Sequence, residues 1–367
     1  MMHYLDRSNQ TNVRSKLWQC LAPYYLNYAD CIQFSAPLVG FDWHGSVRST
    51  GRWTPHRLVA IQRGCEGDSL ALLQVLFPLE EGMYRPGELV NVSPLSHPKV
   101  AQLGAPGILP SRASGVASNG TLAAVLGESE LSLWSAEGDF LAERGVFRSN
   151  EGVRARLGEW LKLNNEQLLW ANDTDSLFLL DAGQLVSTRV AKGEFSFSAL
   201  ACNARFNAPA TACAGSSEGR LLLLDLRTNG SPGGSTLGHA RPVASLDFAA
   251  ENEHVLLSSD SEELVFWDLR NMAKRLFTLP RPGTGRCAFF PDDATMKVIC
   301  LRGCGVEIVK LGDHDPLLPN DLSRSVSFIF GGHDTDDINF KITMAGGQPL
   351  VASADMALGF MQFWQVC

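Results

Sequence analysis

The stretch from Gly238-His239 to Trp267-Asp268 limits what this chain can fold into more than any other. The 27 residues between the two dipeptides break into three apolar runs, Val243 to Phe248, His254 to Ser258 and Leu264 to Leu269. Short, near-alternating runs separated by polar turns read as strands of a half-buried sheet, and they are too short for helices. The third run recurs along the chain as Leu131 to Trp134, Ser176 to Asp181, Arg220 to Arg227, Val306 to Leu311 and Phe360 to Val366. Taking Trp134, Leu180, Leu224, Trp267, Val309 and Trp364 as equivalent gives steps of 46, 44, 43, 42 and 55 residues. A loop rich in Asp, Pro and Gly from Gly312 to Asn320 accounts for the long last step. A period of this size marks a supersecondary unit that must stack on its neighbours to bury its apolar faces.

A further unit precedes these, from Leu38 to Trp43 through Leu58 to Ile61 and Leu70 to Phe77, which makes seven. A long loop carrying Pro86, Pro94, Pro98 and Pro106 is expected to follow it. The last unit stops at Cys367 after a third strand, while Asp30 to Ala36 stands unused before the first. An N-terminal strand completing the last unit closes the ring and removes the open sheet edges. The expectation is an all-β, seven-bladed β-propeller over residues 30–367, its last blade closed by an N-terminal strand, behind an arm over residues 1–29. A β-sandwich or a two-domain all-β protein explains neither the spacing nor the missing strand.

The GH opening and WD ending resemble a blade of the WD40-repeat superfamily. In that family's best blades the His of GH, a Ser or Thr, a turn Asp and the Trp form a buried hydrogen-bonded chain. Carried to this sequence, the resemblance gives His239, Ser259 and Trp267 as three members, with Asp268 completing the WD pair. Ser261 stands where the turn aspartate is expected and Asp260 one position early, so the chain of bonds is expected to be shifted or incomplete. Gly332-His333 with Trp364 makes a second partial set, in which Gln365 replaces the WD aspartate.

Within that superfamily the layout is similar to adaptors of the transparent-testa-glabra type and their animal counterparts that bind DYRK-type kinases. The similarity rests on Ala36-Pro37 before the first blade, on Phe41-Asp42-Trp43, and on the WD ending of the segment from Leu237 to Met272. It implies a non-enzymatic scaffold that holds other proteins, a protein kinase or transcription regulator among them, monomeric within a hetero-complex. The alternatives are a subunit of an RNA-associated assembly and a peroxisomal-targeting-receptor-like propeller. Partner peptides in this superfamily cross the face near the central channel. Residues flanking the first strand of each blade are therefore the binding candidates: Arg241, Arg286, Asp337 and Trp160. Arg and Trp are enriched at binding hot spots; the plainer role of each is a loop charge or a core aromatic.

Charge and composition narrow the partners. The chain has a formal net charge of -8 and no run of five basic residues, so nucleic acid is not expected as the main partner. The 9 cysteines sit singly, and Cys300 with Cys304 has no second pair at zinc-binding spacing. They read as buried reduced thiols of a cytoplasmic or nuclear protein. No run approaches the ~18 apolar residues that would cross a membrane. Arg7, Arg14 and Lys16 in the arm leave an organelle transit sequence as its alternative. Asn119-Gly120-Thr121 and Asn229-Gly230-Ser231 read as turns. No nucleophile elbow, phosphate loop, dinucleotide fingerprint or H-E-x-x-H occurs, so no catalytic, cofactor or metal residue is expected. Asp313-His314-Asp315 reads as a solvated loop. His333 to Asp337 reads as a loop, or as an acidic patch for a basic partner.

Overall fold

A computed structural model describes residues 26–46, 53–65, 67–78, 99–148, 154–161, 166–203, 211–228, 231–250, 252, 254–281, 283–291, 297–311, 326–330, 333–345 and 348–366. These residues form seven four-stranded antiparallel sheets, a seven-bladed β-propeller. The chain enters through β1 (Leu26–Gln33). Blade 1 is β2 (Leu38–Ser46), β3 (Trp53–Arg63), β4 (Asp68–Pro78) and β5 (Lys99–Ile108). Blade 2 is β6 (Ala113–Ser118), β7 (Leu122–Gly127), β8 (Glu130–Glu137) and β9 (Phe140–Arg148). Blade 3 is β10 (Ala155–Trp160), β11 (Gln167–Asn172), β12 (Ser176–Asp181) and β13 (Val186–Lys192). Blade 4 is β14 (Phe197–Cys202), β15 (Thr211–Ser216), β16 (Arg220–Asp225) and β17 (Ser231–Leu237). Blade 5 is β18 (Ser245–Phe248), β19 (Val255–Ser259), β20 (Glu263–Asp268) and β21 (Arg275–Pro280). Blade 6 is β22 (Thr284–Phe290), β23 (Lys297–Arg302), β24 (Gly305–Lys310) and β25 (Val326–Phe330). Blade 7 is β26 (Ile338–Ala345), β27 (Gln348–Asp355) and β28 (Phe360–Val366), completed by β1.

The closing strand is the one expected, displaced toward the N-terminus. It pairs antiparallel with β28, Ala29 opposite Trp364 and Cys31 opposite Gln362, and it ends at Gln33 instead of running to Ala36. Ring closure is reinforced where the amide of Phe34 donates to the carbonyl of Gly359 at 2.8 Å and that of Leu38 to Met356 at 2.8 Å.

The period read from the sequence is the packing period. Each aligned third-strand residue lies in the apolar cluster between its own blade and the one before. Trp134 packs with Ile61 and Leu72, Leu180 with Leu126, and Leu224 with Leu169. Trp267 packs with Cys213 and Leu221, Val309 with Leu257, and Trp364 with Ile299. Leu58 and Leu73 of blade 1 meet Leu350 and Phe363 of blade 7 across the closing interface. Both faces of every blade are thus buried, which is why the central strands read as nearly continuous apolar runs.

One expectation fails. The Pro-rich connection after Phe77 is not loop throughout: Lys99–Ile108 is the outer strand of blade 1, with Pro106 inside it. An outer strand has one unpaired edge, where a proline without an N–H removes no ladder bond. Most of β5 is solvent-exposed and so lacks the apolar alternation that reveals a strand. Pro86, Pro94, Pro98, Asp313-His314-Asp315 and residues 1–25 lie outside the described residues. Asn119 does sit in a turn, its side-chain oxygen accepting from the amides of Thr121 and Leu122. Among the described cysteines, Cys202, Cys213, Cys287 and Cys300 are buried, whereas Cys31 and Cys65 are exposed. Among the described residues no helix is long and apolar enough to cross a membrane.

Candidate functional site

Because every blade repeats one up-and-down order, all inner strands run the same way along the central channel. One face of the ring, called here the entry face, carries the loops leading into the inner strands and the turns between second and third strands. The GH dipeptide lies in such a loop. The amides of Gly238 and His239 both donate to the carbonyl of Gly219, at 2.9 Å, and Gly219 holds a left-handed φ of +78°.

Behind that loop a buried network joins His239, Ser258 and Trp267 of blade 5. His239 Nε2 lies 2.7 Å from Ser258 Oγ, and the Trp267 indole N–H donates to the same oxygen at 2.8 Å. His239 Nδ1 stands 3.3 Å from a carboxylate oxygen of Asp260. The other Asp260 oxygen accepts the amides of Glu262 and Glu263. The serine is Ser258 and not Ser259, for a reason of strand alternation. Leu256 pairs with Trp267, so Ser258 shares Trp267's face, while Ser259 points the other way and donates to Gly285 of blade 6. Asp260, one residue early, is the carboxylate that faces the histidine, close to Nδ1 without a well-formed hydrogen bond. Asp268 lies outside the network: its carboxylate pairs with Arg270 at 2.7 Å on the surface, and that hydrogen-bonded partner lowers its pKa to about 2.

Blade 7 repeats the arrangement. His333 Nε2 is 2.9 Å from Ser353 Oγ, which also accepts the Trp364 indole N–H at 2.9 Å. Asp355 is fully buried beside this histidine and caps the amides of Thr335 and Leu358. Burial lowers the pKa of His333 to about 4, against the opposing pull of Asp355. Burial also lowers that of His239, where Asp260 opposes the shift and Arg275 adds to it. His239, Asp260 and Glu263 gather within 4.8 Å in the pattern of a cation site. Arg275 supplies a positive charge there, 2.9 Å from Glu263 and donating to the carbonyl of Gly238.

Blade 6 fills the same place with a buried ion pair. By register, Cys300 stands where Ser258 does, Val309 replaces Trp267, and Glu307 faces Cys300. Arg281, in the loop position of the histidine, and Arg302 each reach a different oxygen of Glu307 at 3.2 Å. The Arg281 and Glu307 side chains are each only 4% exposed. No sequence motif announces this clamp, because its members are scattered and of ordinary type.

The four binding candidates do not converge. Arg241 and Asp337 are exposed on the entry face, Arg241 paired with Glu262 at 3.1 Å and bonded to Ser261 at 3.1 Å. Asp334 and Asp336 are exposed beside Asp337, and the carbonyl of Asp337 accepts the amide of Met356. Trp160 lies at the opposite end of its inner strand and is 3% exposed, its indole N–H donating to the carbonyl of Ala117 in blade 2. It packs between blades and offers no surface to a partner. Arg286 faces the channel.

Neither the family models nor the characterised proteins contain a match to this chain. The geometry of the channel and its mouth therefore carries the functional argument. The channel encloses about 810 Å³. At its entry end five inner strands bulge, leaving Val39, Ser114, Arg156, Ser198 and Arg286 out of the ladders. A bulge re-aims the unpaired side chain. The two serines turn to the next blade, Ser114 donating to Ala155 and Ser198 to Val243. The two arginines line the channel. Deeper in, Asp42 caps the amide of Ser118 at 2.9 Å and Asp247 that of Phe289 at 2.8 Å, each a staple from one blade to the next. Lys341 pairs with Asp42 at 3.3 Å.

Proposed function

We propose that this chain is a non-enzymatic scaffold of the WD40 type, holding other proteins on the entry face of its propeller. The observation that carries the reading is the charge pattern of that face: Arg241, Asp334, Asp336 and Asp337 stand exposed around the channel mouth of a closed, rigid ring. Charges of both signs on a fixed frame favour selection of a complementary partner and faster encounter with it. A face of this kind can bury the ~800 Å² per partner typical of stable complexes. The His–Ser–Trp sets of blades 5 and 7, each with its aspartate, support the WD40 assignment. Similarity to the transparent-testa-glabra and DYRK-binding adaptors adds a kinase or a transcription regulator as the partner class. On this reading the protein works in the cytoplasm or nucleus, one copy per hetero-complex.

The test is affinity purification of the tagged full chain at moderate and high salt, beside an Arg241→Ala/Asp337→Ala variant. A small set of proteins retained at high salt and lost in the variant supports the scaffold. RNA retained at low salt and washed off by high salt overturns it in favour of an RNA-associated subunit.

A further inference from the structure

We infer that the entry mouth of the central channel is a binding site for a phosphate-class oxyanion, held between Arg156 and Arg286. The inference goes beyond protein docking, since it assigns a ligand chemistry to the lumen itself.

Both residues stand in the bulge that opens an inner strand, one register position apart: Arg156 aligns with Gly285, and Arg286 with Leu157. Each is left out of the ladder by the bulge at the start of its inner strand, in blades 3 and 6 respectively, and each lines the channel. In the other bulged blades the residue left out of the ladder is a serine or a valine, side chains that finish their bonding within the ring or need none. An arginine there presents five donors in a planar fork suited to two oxygens of one anion.

Neither guanidinium has an ion pair among the described residues. Arginines elsewhere in this acidic chain find carboxylates, as Arg148 does with Glu130, Arg227 with Asp225 and Arg270 with Asp268. Among the described residues no carboxylate comes within ion-pairing distance of Arg156 or Arg286. The hydrogen-bond partner of Arg286 is the neutral side-chain oxygen of Asn339, on the next inner strand. That bond fixes the direction of the head group and forms no ion pair.

The surroundings suit an anion. Burial pulls the pKa of Arg286 below the ordinary arginine range, against the opposing pull of Asp42 and Glu159 on blades 1 and 3. Asp42 is committed to Lys341 and to the amide of Ser118, and Asp247 to the amide of Phe289. The lining as a whole carries four basic side chains against three acidic ones, in a chain of net charge -8. A desolvated cation is costly unless a partner arrives, and an oxyanion is that partner. The phosphate group can belong to a free compound or to a phosphorylated side chain of a docked protein; both present the same oxygens.

The experiment is calorimetric titration of the full chain with inorganic phosphate at fixed ionic strength, with chloride as control. Saturable binding is expected, with Arg156→Gln and Arg286→Gln each weakening it about tenfold or more. Arg189→Gln, on the outer strand of blade 3, should leave it unchanged. Arg156 is exposed, so its variant keeps the test decisive should Arg286→Gln fail to fold. A phosphoserine hexapeptide that binds more tightly than phosphate, with its unphosphorylated form silent, assigns the group to a docked protein. Parity or preference for phosphate assigns a free compound. Absence of saturable binding, or equal affinity in wild type and both channel variants, overturns the site.

Discussion

Ser258 and Ser259 are neighbours with different work. Ser258 Oγ serves His239 and Trp267 inside blade 5, whereas Ser259 spends one bond on Gly285 of blade 6. Ser258→Ala strands two buried polar groups and should cost about 1–3 kcal/mol, against about 0.5–1.5 kcal/mol for Ser259→Ala. Urea unfolding of the two variants checks the order. At Glu307 the stake is a charge: Glu307→Ala removes the buried carboxylate that faces Arg281 at 3.2 Å and should cost about 3–5 kcal/mol. Replacing both, as Arg281→Met/Glu307→Leu, should recover most of that loss in the same assay. The buried histidines set a pH dependence. His44, which bonds Ser118 at 2.8 Å, and His333 both drop from 6.5 to about 4, mainly through burial. Between those values the unfolded chain binds protons that the folded chain refuses. Stability is therefore full above pH 6.5 and falls as pH drops toward 4, by about 1.4 kcal/mol per unit for each histidine. Unfolding midpoints at pH 7 and pH 5 measure the slope, which His333→Gln should make shallower.

At the scale of strands, what was legible tracks what is buried. The third strands were readable because Trp134, Trp267 and Trp364 repeat at blade spacing and pack against the preceding blade. The outer strand β5 was not, because exposed residues such as Gln102, Gly104 and Pro106 follow no apolar rule. The choice between Ser258 and Ser259 needed the strand register, which two adjacent serines do not reveal. The bulges that aim Arg156 and Arg286 inward leave no mark in the sequence, so Arg286 was picked for its residue type and Arg156 was missed. Trp160 was picked the same way, and the interface with blade 2 claims it. The closing strand yields a prediction of its own: removal of residues 1–33 bares the edge of β28. An unpaired edge recruits other chains, so the truncated protein should elute as dimers and larger species by size-exclusion chromatography with light scattering.

For the molecule as a whole, no blade owns a core. Each of the seven apolar clusters is assembled from two neighbouring blades. A fragment of residues 38–192, blades 1 to 3, should consequently show no sharp thermal transition by circular dichroism, while the full chain melts cooperatively. The closing of blade 7 also has a consequence in time. Of the described strands of the ring, the first made, β1, has its partner in the last made, β28. At ~5–20 residues per second of synthesis, that partner arrives on the order of tens of seconds later. Throughout that interval the ribosome holds an open arc whose two ends are both apolar-faced, so the nascent chain needs shelter until its last strand is out.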